Sequence, residues 1–351
     1  MKILLIADPL IPVPPKHYGG TERIVALYAE EFSRLGHEVN LMAAQGSKSF
    51  GGKLYCHRAP NHQYLSRAYR KLRFQLQSTL AFHRCDVVYN FGRIDYLKTL
   101  FSLGAPVLHC FQNPARQEDV NTFESQQSSN VALHFISNNQ RASVKSSLKS
   151  YVISNCLNTR SIQSGAGQGG YLAFLGRLTR NKGVDVAIST AKATGKRLVI
   201  AGTVSSEEEG EKFFQEEVKP NLDGEQIVWI GPVDDQEKYK LLSNASALLF
   251  PIRWDEPFGI VMAEALACGT PVIATKRGST PDVIRHGENG LLCNSIEPTV
   301  EEFSDAVSRL DLIDRKDCRR AAEDYFDVRV VAPQVLGALQ RLASRGSTKN
   351  G

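Results

Sequence analysis

The chain has 351 residues, enough for about two domains with a core each. With 42% hydrophobic and 23% charged residues it has the balance of an ordinary globular protein, not of a disordered or collagen-like one. No apolar run approaches the roughly 18 residues that cross a bilayer, and MKILLIADPL reads as a first strand and not as a signal peptide. The net charge of +5 and a pI near 8.7 suit a phosphate-bearing ligand or an anionic membrane surface, with no nucleic acid expected. Seven cysteines lie scattered at 56, 85, 110, 156, 268, 293 and 318, without CxxC or metal-ligand spacing. They fit buried free thiols in a reducing cytoplasm, and no metal site is expected.

In chain order, Lys2 to Asp8 is a strand, followed by a Pro- and Gly-rich loop from Pro9 to Glu22. A helix from about Thr21 to Leu35 carries Ile24, Val25, Leu27, Tyr28, Phe32 and Leu35 on one face and stops at Gly36. His37 to Ala44 is the next strand. Gly19-Gly20 therefore sits where a helix opens after the first strand, and lets a backbone approach a phosphate closely. Lys53 to His57 is a short strand, and His62 to Arg84 a helix. That helix interleaves Arg67, Arg70, Lys71, Arg73 and Arg84 with Tyr64, Leu65, Tyr69, Leu72, Phe74 and Leu76. It reads as an ordinary solvated face, with peripheral contact to an anionic membrane through 67–84 as the alternative. Strands follow at 86–91, 106–111, 131–137 and 151–154, with helices at 95–103 and from 138 to about 148.

The polar, Gly-rich run from Asn158 to Gly170 reads as a linker. The β/α alternation then restarts, with strands at 171–176, 197–202 and 227–231 and helices at 183–193, 207–218 (acidic and solvated) and 234–244. The stretch around which the chain is organised follows. ALLFP at 247–251 is a buried strand, Ile260 to about Cys268 a helix, and Pro271 to Thr275 a further strand. Glu256 and Glu264 lie eight residues apart across Pro257-Phe258-Gly259. The amides of Gly259, Ile260 and Val261 would point out of a helix N-terminus, which suits a phosphate. Carboxylates repel phosphate, so their natural partners there are sugar hydroxyls. Amides for an anion beside carboxylates for hydroxyls fit a nucleotide sugar. A short helix at 281–285, a strand at 291–293 and terminal helices close the chain. The expected architecture is two α/β units, each a parallel sheet with helices on both faces, with the ligand at the strand C-terminal ends in a cleft between them.

Five strings, in order, resemble retaining glycosyltransferase family 4. They are GGTE at 19–22, GHEV at 36–39, FLGRLTRNKG at 174–183, EPFGIVMAEALACGTPVIA at 256–274 and HGENGLL at 286–292. The resemblance implies the GT-B fold: two Rossmann-like doubly wound parallel-sheet domains facing across a cleft. Its domains would be 1–158 on the acceptor side, 159–328 for the donor nucleotide, and 329–351 as a terminal helix packing back on the first. It implies a nucleoside-diphosphate-sugar donor as co-substrate, retention of anomeric configuration, no cofactor and no metal. Arg177 and Lys182 would neutralise the donor diphosphate, as fixed cations must where no metal does so. Glu264 would hold the ribose diol and Glu256 the transferred sugar. The amides of Phe258, Gly259, Ile260 and Val261 would meet sugar or phosphate, Gly19 and Gly20 would close over the diphosphate, and Ile230-Gly231 would bind the base through backbone groups.

One position departs from the family. Gln112 stands where many relatives carry a His that contacts the transferred sugar, and an amide hydrogen-bonds but does not titrate. His109 points to the opposite strand face and reads as a packed core residue. Asn155-Cys156-Leu157-Asn158 also departs from the common Asn-Gly-x-Asp. The acceptor would be a saccharide, a lipid-linked saccharide or an aglycone. Two other readings are a nucleotide-sugar-binding protein without transfer activity and a nucleotide-sugar epimerase. A cytoplasmic protein, with the inner membrane face as a peripheral location, is expected.

Overall fold

The computed structural model describes residues 1–15, 19–57, 67–126 and 130–347. The chain divides into two compact units: Met1–Cys156 together with the segment from Val328, and Leu157–Asp327. In the first unit the strands are β1 (Lys2–Ile6), β2 (Glu38–Ala44), β3 (Leu54–His57), β4 (Val87–Asn90), β5 (Val107–Phe111), β6 (Val131–Phe135) and β7 (Lys149–Val152). They form one sheet in the order 3-2-1-4-5-6-7. In the second unit β8 (Leu172–Leu175), β9 (Leu198–Ala201), β10 (Ile227–Trp229), β11 (Ala247–Phe250), β12 (Val272–Thr275) and β13 (Gly290–Cys293) run in the order 10-9-8-11-12-13. Every named pair is parallel, with Ile3 facing both Val39 and Val87, and Leu248 facing both Val272 and Ala173. Helices cover both faces of such sheets, which is why ILLI, VLHCF, VALHF and ALLF are apolar runs and not alternating ones.

Each sheet reverses its strand order at one point, between β1 and β4 in the first unit and between β8 and β11 in the second. Loops leaving the two strands at such a point splay apart and open a crevice at the strand C-terminal ends. In the second unit those loops carry Arg177–Lys182 and Arg253–Gly259, so the topology itself gathers the two family-like strings. In the first unit they carry 7–19 and 91–93. The first core packs the helix Gly20–Arg34 on the sheet through Tyr28, Phe32, Tyr89 and Phe91, with Tyr89 and Phe91 ring centres 4.3 Å apart. The terminal helix Val328–Ser347 belongs to this unit.

Four expectations need correction. The run 158–170 is not a free linker, because its backbone is bound to the second unit. The amides of Gly165, Gly167 and Gly169 donate to the carbonyls of Cys268, Ser243 and Asn244 at 3.0, 3.1 and 2.9 Å. The Arg315 guanidinium gathers the carbonyls of Gly165, Ala245 and Ser243 at 2.9 to 3.0 Å. The chain instead passes between units at 156/157 and 327/328, where Leu157 N–H donates to Phe326 carbonyl at 2.7 Å. Second, the helix after β6 stops at Ala142. Side chains from Gln117–Ser125 take the amides that would have continued it: Gln117 accepts from Lys145 N–H and Glu124 from Ser147 N–H, at 2.8 and 2.7 Å. Third, the acidic helix over 207–218 is α-helical only from Glu208 to Phe213 and widens at Phe214–Val218. It buries Phe213, Phe214 and Val218, so its apolar side is not solvated. Fourth, the basic helix spans Arg67–Phe82, Arg84 lies beyond its end, and its expected start at 62–66 falls outside the described residues.

The first sheet also buries two imidazoles. His134 Nε2 lies 2.7 Å from the Ile153 carbonyl and therefore donates to it, leaving Nδ1 to accept from the Tyr89 hydroxyl at 2.8 Å. His109 packs against Phe111 and Phe123 with ring centres 4.6 and 4.7 Å away, the core role expected of it. Burial pushes the His134 pKa down to about 4; burial and the neighbouring His134 push that of His109 down to about 3. Below the ordinary value of 6.5 the unfolded chain takes up these protons and the native one does not. Stability from this source is present above pH 6.5 and is lost as pH falls toward the folded values. We predict that His134→Gln flattens the stability–pH slope at about pH 5.5 by about one proton, measured by urea unfolding at several pH values. An unchanged slope contradicts a buried neutral imidazole.

Candidate active site

The site in the second unit is built at the switch point between β8 and β11. After β11 the chain runs through Arg253-Trp254-Asp255-Glu256 and enters the helix Ile260–Ala267 at Gly259. Gly259 has φ +68°, and a Cβ there would meet Met262 Cε at 2.8 Å and Phe250 Cζ at 3.0 Å. The turn thus needs a residue without a side chain. Met262 N–H closes back onto the Gly259 carbonyl at 2.9 Å. The amides of Gly259, Ile260 and Val261 find no acceptor among the described residues, so the anion-binding end of this helix is available.

Glu256 and Glu264 are both brought to this end, and each is held by a lysine. Glu256 Oε2 accepts from Lys182 Nζ, with the two side chains only 13% and 16% exposed. Lys182 also lies over the Trp254 ring, 4.8 Å from its centre. Glu264 Oε1 accepts from Lys238 Nζ at 2.5 Å, with the side chains 8% and 14% exposed. Lys238 donates in addition to Asp235 at 2.9 Å. Burial alone disfavours the Lys238 charge, but the adjacent Glu264 carboxylate and the bond to Asp235 hold its pKa above the ordinary lysine range. Removing either partner of such a pair strands a buried charge.

The loop carrying Glu256 is fixed by neighbours remote in sequence. Arg253 forms a fork to both Asp185 oxygens at 2.7 and 2.8 Å, and Arg277 reaches Asp255 at 3.2 Å. Glu256 carbonyl accepts from Ser279 N–H at 3.0 Å. Gly278, at φ +59°, lies so close that a Cβ would stand 2.6 Å from the Glu256 amide nitrogen. The Phe258 side chain is buried against Phe326, ring centres 5.8 Å apart, so the ring anchors the loop. Ile260 and Val261 stay half-exposed at the helix start. Arg177, by contrast, is exposed, and no hydrogen bond or ion pair holds its guanidinium among the described residues. The structure pairs Lys182 with Glu256 but does not join Arg177 to them. At Ile230, 46% exposed, the backbone leaves the sheet after its N–H donates to Ile200 carbonyl at 3.0 Å. Gly231 turns with φ +78°, and its carbonyl accepts from Gly202 N–H at 2.8 Å.

In the first unit Gly20 opens the helix Gly20–Arg34 with Gly19 before it, and space beyond Gly20 is open. Glu22, two residues on, is buried; burial, with Asp8 nearby, raises its carboxyl pKa. Gln112 does not present its amide outward. It forms a reciprocal pair with Asn155, donating at 2.9 Å and accepting at 3.0 Å, and its Nε2 also meets Cys110 Sγ at 3.1 Å. The departure at Gln112 is therefore engaged by Asn155, the one residue of Asn155-Cys156-Leu157-Asn158 besides the variable third position that keeps the family pattern. Among the described residues no three His, Cys, Asp or Glu side chains form a metal-ligand set. All seven cysteines are free, and burial pushes the thiols of Cys110, Cys268, Cys293 and Cys318 up to about 12.

Lys238, Trp254, Asp185 and Gly278 were not found from sequence. Only the capping box Asp234-x-x-Glu237 locates the helix bearing Lys238, and nothing local says that it reaches Glu264.

Two doubly wound parallel sheets, each with one switch point, are the architecture of the GT-B fold. Residues 160–325 match the family model for glycosyl transferases group 1. That match falls within the second unit and spans nearly all of it. A D-inositol 3-phosphate glycosyltransferase of Corynebacterium aurimucosum is 32% identical over 147 residues, 40% of this chain and 34% of that protein. The aligned stretches span 42%, 30% and 34% of three curated relatives' lengths. Over nearly the whole chain the fold is that of sucrose-phosphate synthase from Thermosynechococcus elongatus, TM-score 0.78 at 18% identity, covering 98% of this chain and 99% of that one. It is equally that of Anabaena HepE, solved in complex with UDP-glucose, with TM-score 0.72, 16% identity and coverage of 97% and 100%.

Lys238 gives a direct test of the paired-carboxylate geometry. We predict that Lys238→Met lowers stability by about 3 kcal/mol in urea unfolding, by leaving Glu264 buried and unpaired. The double variant with Glu264→Gln should recover most of that loss. Additive losses contradict the pairing.

Proposed function

We propose that the chain transfers a sugar from a nucleoside diphosphate sugar to an acceptor hydroxyl with retention of configuration and without a metal ion. The observation that carries this reading is the pair of lysine-held carboxylates flanking three unbonded amides at one helix N-terminus, inside a group 1 domain. Those amides bind phosphate oxygens. Lys182 has three N–H donors and spends one on Glu256, so it can also meet a diphosphate oxygen. Glu256 Oε1 has no partner among the described residues and suits a hydroxyl of the transferred sugar. Glu264, oriented by Lys238, suits the ribose diol, and the turn at Ile230-Gly231 offers backbone groups to the base. Arg177, exposed in the loop after β8, would supply a second cation for the developing charge.

In the reaction proposed, the bond from the anomeric carbon to the phosphate oxygen breaks. The acceptor oxygen bonds to the same face of that carbon, and its proton passes to the departing phosphate. Fixed cations and amides stabilise the leaving charge, so no protein base is required. A saccharide, a lipid-linked saccharide or a small aglycone supplies the hydroxyl. The UDP-glucose bound by Anabaena HepE makes UDP-sugars the first donors to try. The free thiols fit a cytoplasmic setting, and the basic stretch 67–84 suits an anionic membrane surface. One observation favours a second reading, a protein that binds the nucleotide sugar and transfers nothing: Gln112 stands in place of the family His and its amide is engaged by Asn155.

Transfer to a panel of acceptors, followed by NMR of the product anomer, tests the proposal. An α-linked donor should give an α-linked product, and EDTA should leave the rate unchanged. Lys182→Ala and Glu256→Ala should each lower the rate at least about hundredfold. Full activity in Lys182→Ala would sink the diphosphate role, and tight nucleotide-sugar binding with no transfer to any acceptor would favour the second reading.

A further inference from the structure

The backbone on both sides of Lys182 is pinned to the loop after β11. Arg253 N–H donates to the Asn181 carbonyl and the Arg253 guanidinium to that of Arg180, each at 2.8 Å. Gly183, at φ +76°, lies so close to Pro251 that a Cβ would overlap its carbonyl oxygen. The Lys182 side chain then meets two groups of one short turn. Glu256 Oε2 accepts from its Nζ, and the Trp254 ring centre lies 4.8 Å from the same nitrogen. Glu256 N–H closes onto the Trp254 carbonyl at 3.0 Å, so carboxylate and ring are held as one piece.

A tryptophan is not the simplest residue for this place. Its indole Nε1 is buried and finds no acceptor among the described residues. A buried donor left unpaired lowers stability, and a phenylalanine would carry no such penalty. What phenylalanine does not match is the ring face, because indole attracts a cation more strongly than benzene does. The cation over that face is the Lys182 ammonium. Trp254 stands two residues before Glu256 and outside all five family-like strings.

We infer that Trp254 is a positioning residue: its ring face and the Glu256 carboxylate together fix the Lys182 ammonium, so that a remaining N–H donor is aimed at the diphosphate of the donor. The inference rests on the role proposed above for Lys182, and Trp254 itself touches no substrate in it. Lysine carries its charge on a flexible four-carbon stem. With the ring removed, the ammonium follows Glu256 alone, and the aim prepared for the leaving group is lost.

Transfer kinetics of Trp254→Leu and Trp254→Phe beside the wild type test it, because leucine fills space without a π face and phenylalanine keeps a weaker one. The kcat should fall at least about thirtyfold in Trp254→Leu and about threefold in Trp254→Phe, with the donor KM within about threefold of wild type in both. Equal losses in the two variants would overturn the inference, since the indole N–H and not the ring face would then be what matters. So would a Trp254→Leu kcat within about twofold of wild type. Urea unfolding of the full chain needs no substrate and separates this inference from the donor reading. There Trp254→Leu, Lys182→Met and the double variant form a cycle, and the double variant should lose less than the sum of the two single losses. Additive losses would overturn the inference even in a protein that transfers sugar. A coupled cycle in a wild type that transfers none would place the fault in the donor reading instead.

Discussion

A carboxylate withdrawn from water must be paired, and the second unit meets this requirement twice, with Lys182 on Glu256 and Lys238 on Glu264. Much of the local architecture follows from those two pairs. Lys182 ends the loop after β8, Glu256 belongs to the loop after β11, and the two strands are neighbours at the point where the sheet changes direction. Lys238 comes from the helix Asp235–Asn244, packed beside the helix that carries Glu264. Each pair therefore joins two elements remote in sequence. A carboxylate accepts hydroxyl hydrogens, and the amides between the pairs donate to an anion.

The supports of the site are backbone supports as much as side-chain ones. Gly259 and Gly278 have positive φ and lie where added side chains would collide with the Glu256 loop or its surroundings. Arg253 forks onto Asp185, and Arg277 reaches Asp255 of the same loop. A loop so pinned holds its carboxylate in place before a ligand arrives, which lowers the ordering cost of binding. The first unit solves a different problem. There Gln112, in place of the family His, and Asn155 satisfy one another as a pair of amides, so the substituted side chain is not left without partners.

The fold was legible because parallel strands in doubly wound sheets write themselves as uninterrupted apolar runs, and because Gly and Pro mark nearly every turn. Thus β1, β5, β6, β11 and β12 lie within a residue or two of the bounds read from sequence. Legibility failed where side chains competed with local preference. Gln117 and Glu124 capture the amides that would have prolonged the helix after Ser137, and Arg315 converts a Gly-rich run from tether into packed structure. In the site, the positions of Glu256, Glu264 and Lys182 were readable from their motifs. Their mutual pairing was not, because a contact such as Lys238 to Glu264 depends on packing between helices that no local pattern encodes.

The most direct measurement is a thermal-shift screen of the full chain against UDP, GDP, ADP and dTDP and their sugar conjugates. If the paired carboxylates and open amides form a donor site, one nucleotide series should raise the melting temperature selectively. The stabilisation should approach about 2.7 kcal/mol at a hundredfold excess over the dissociation constant. No shift with any of them at millimolar concentration would contradict the account, because a site already assembled in the free protein should bind its nucleotide without an acceptor.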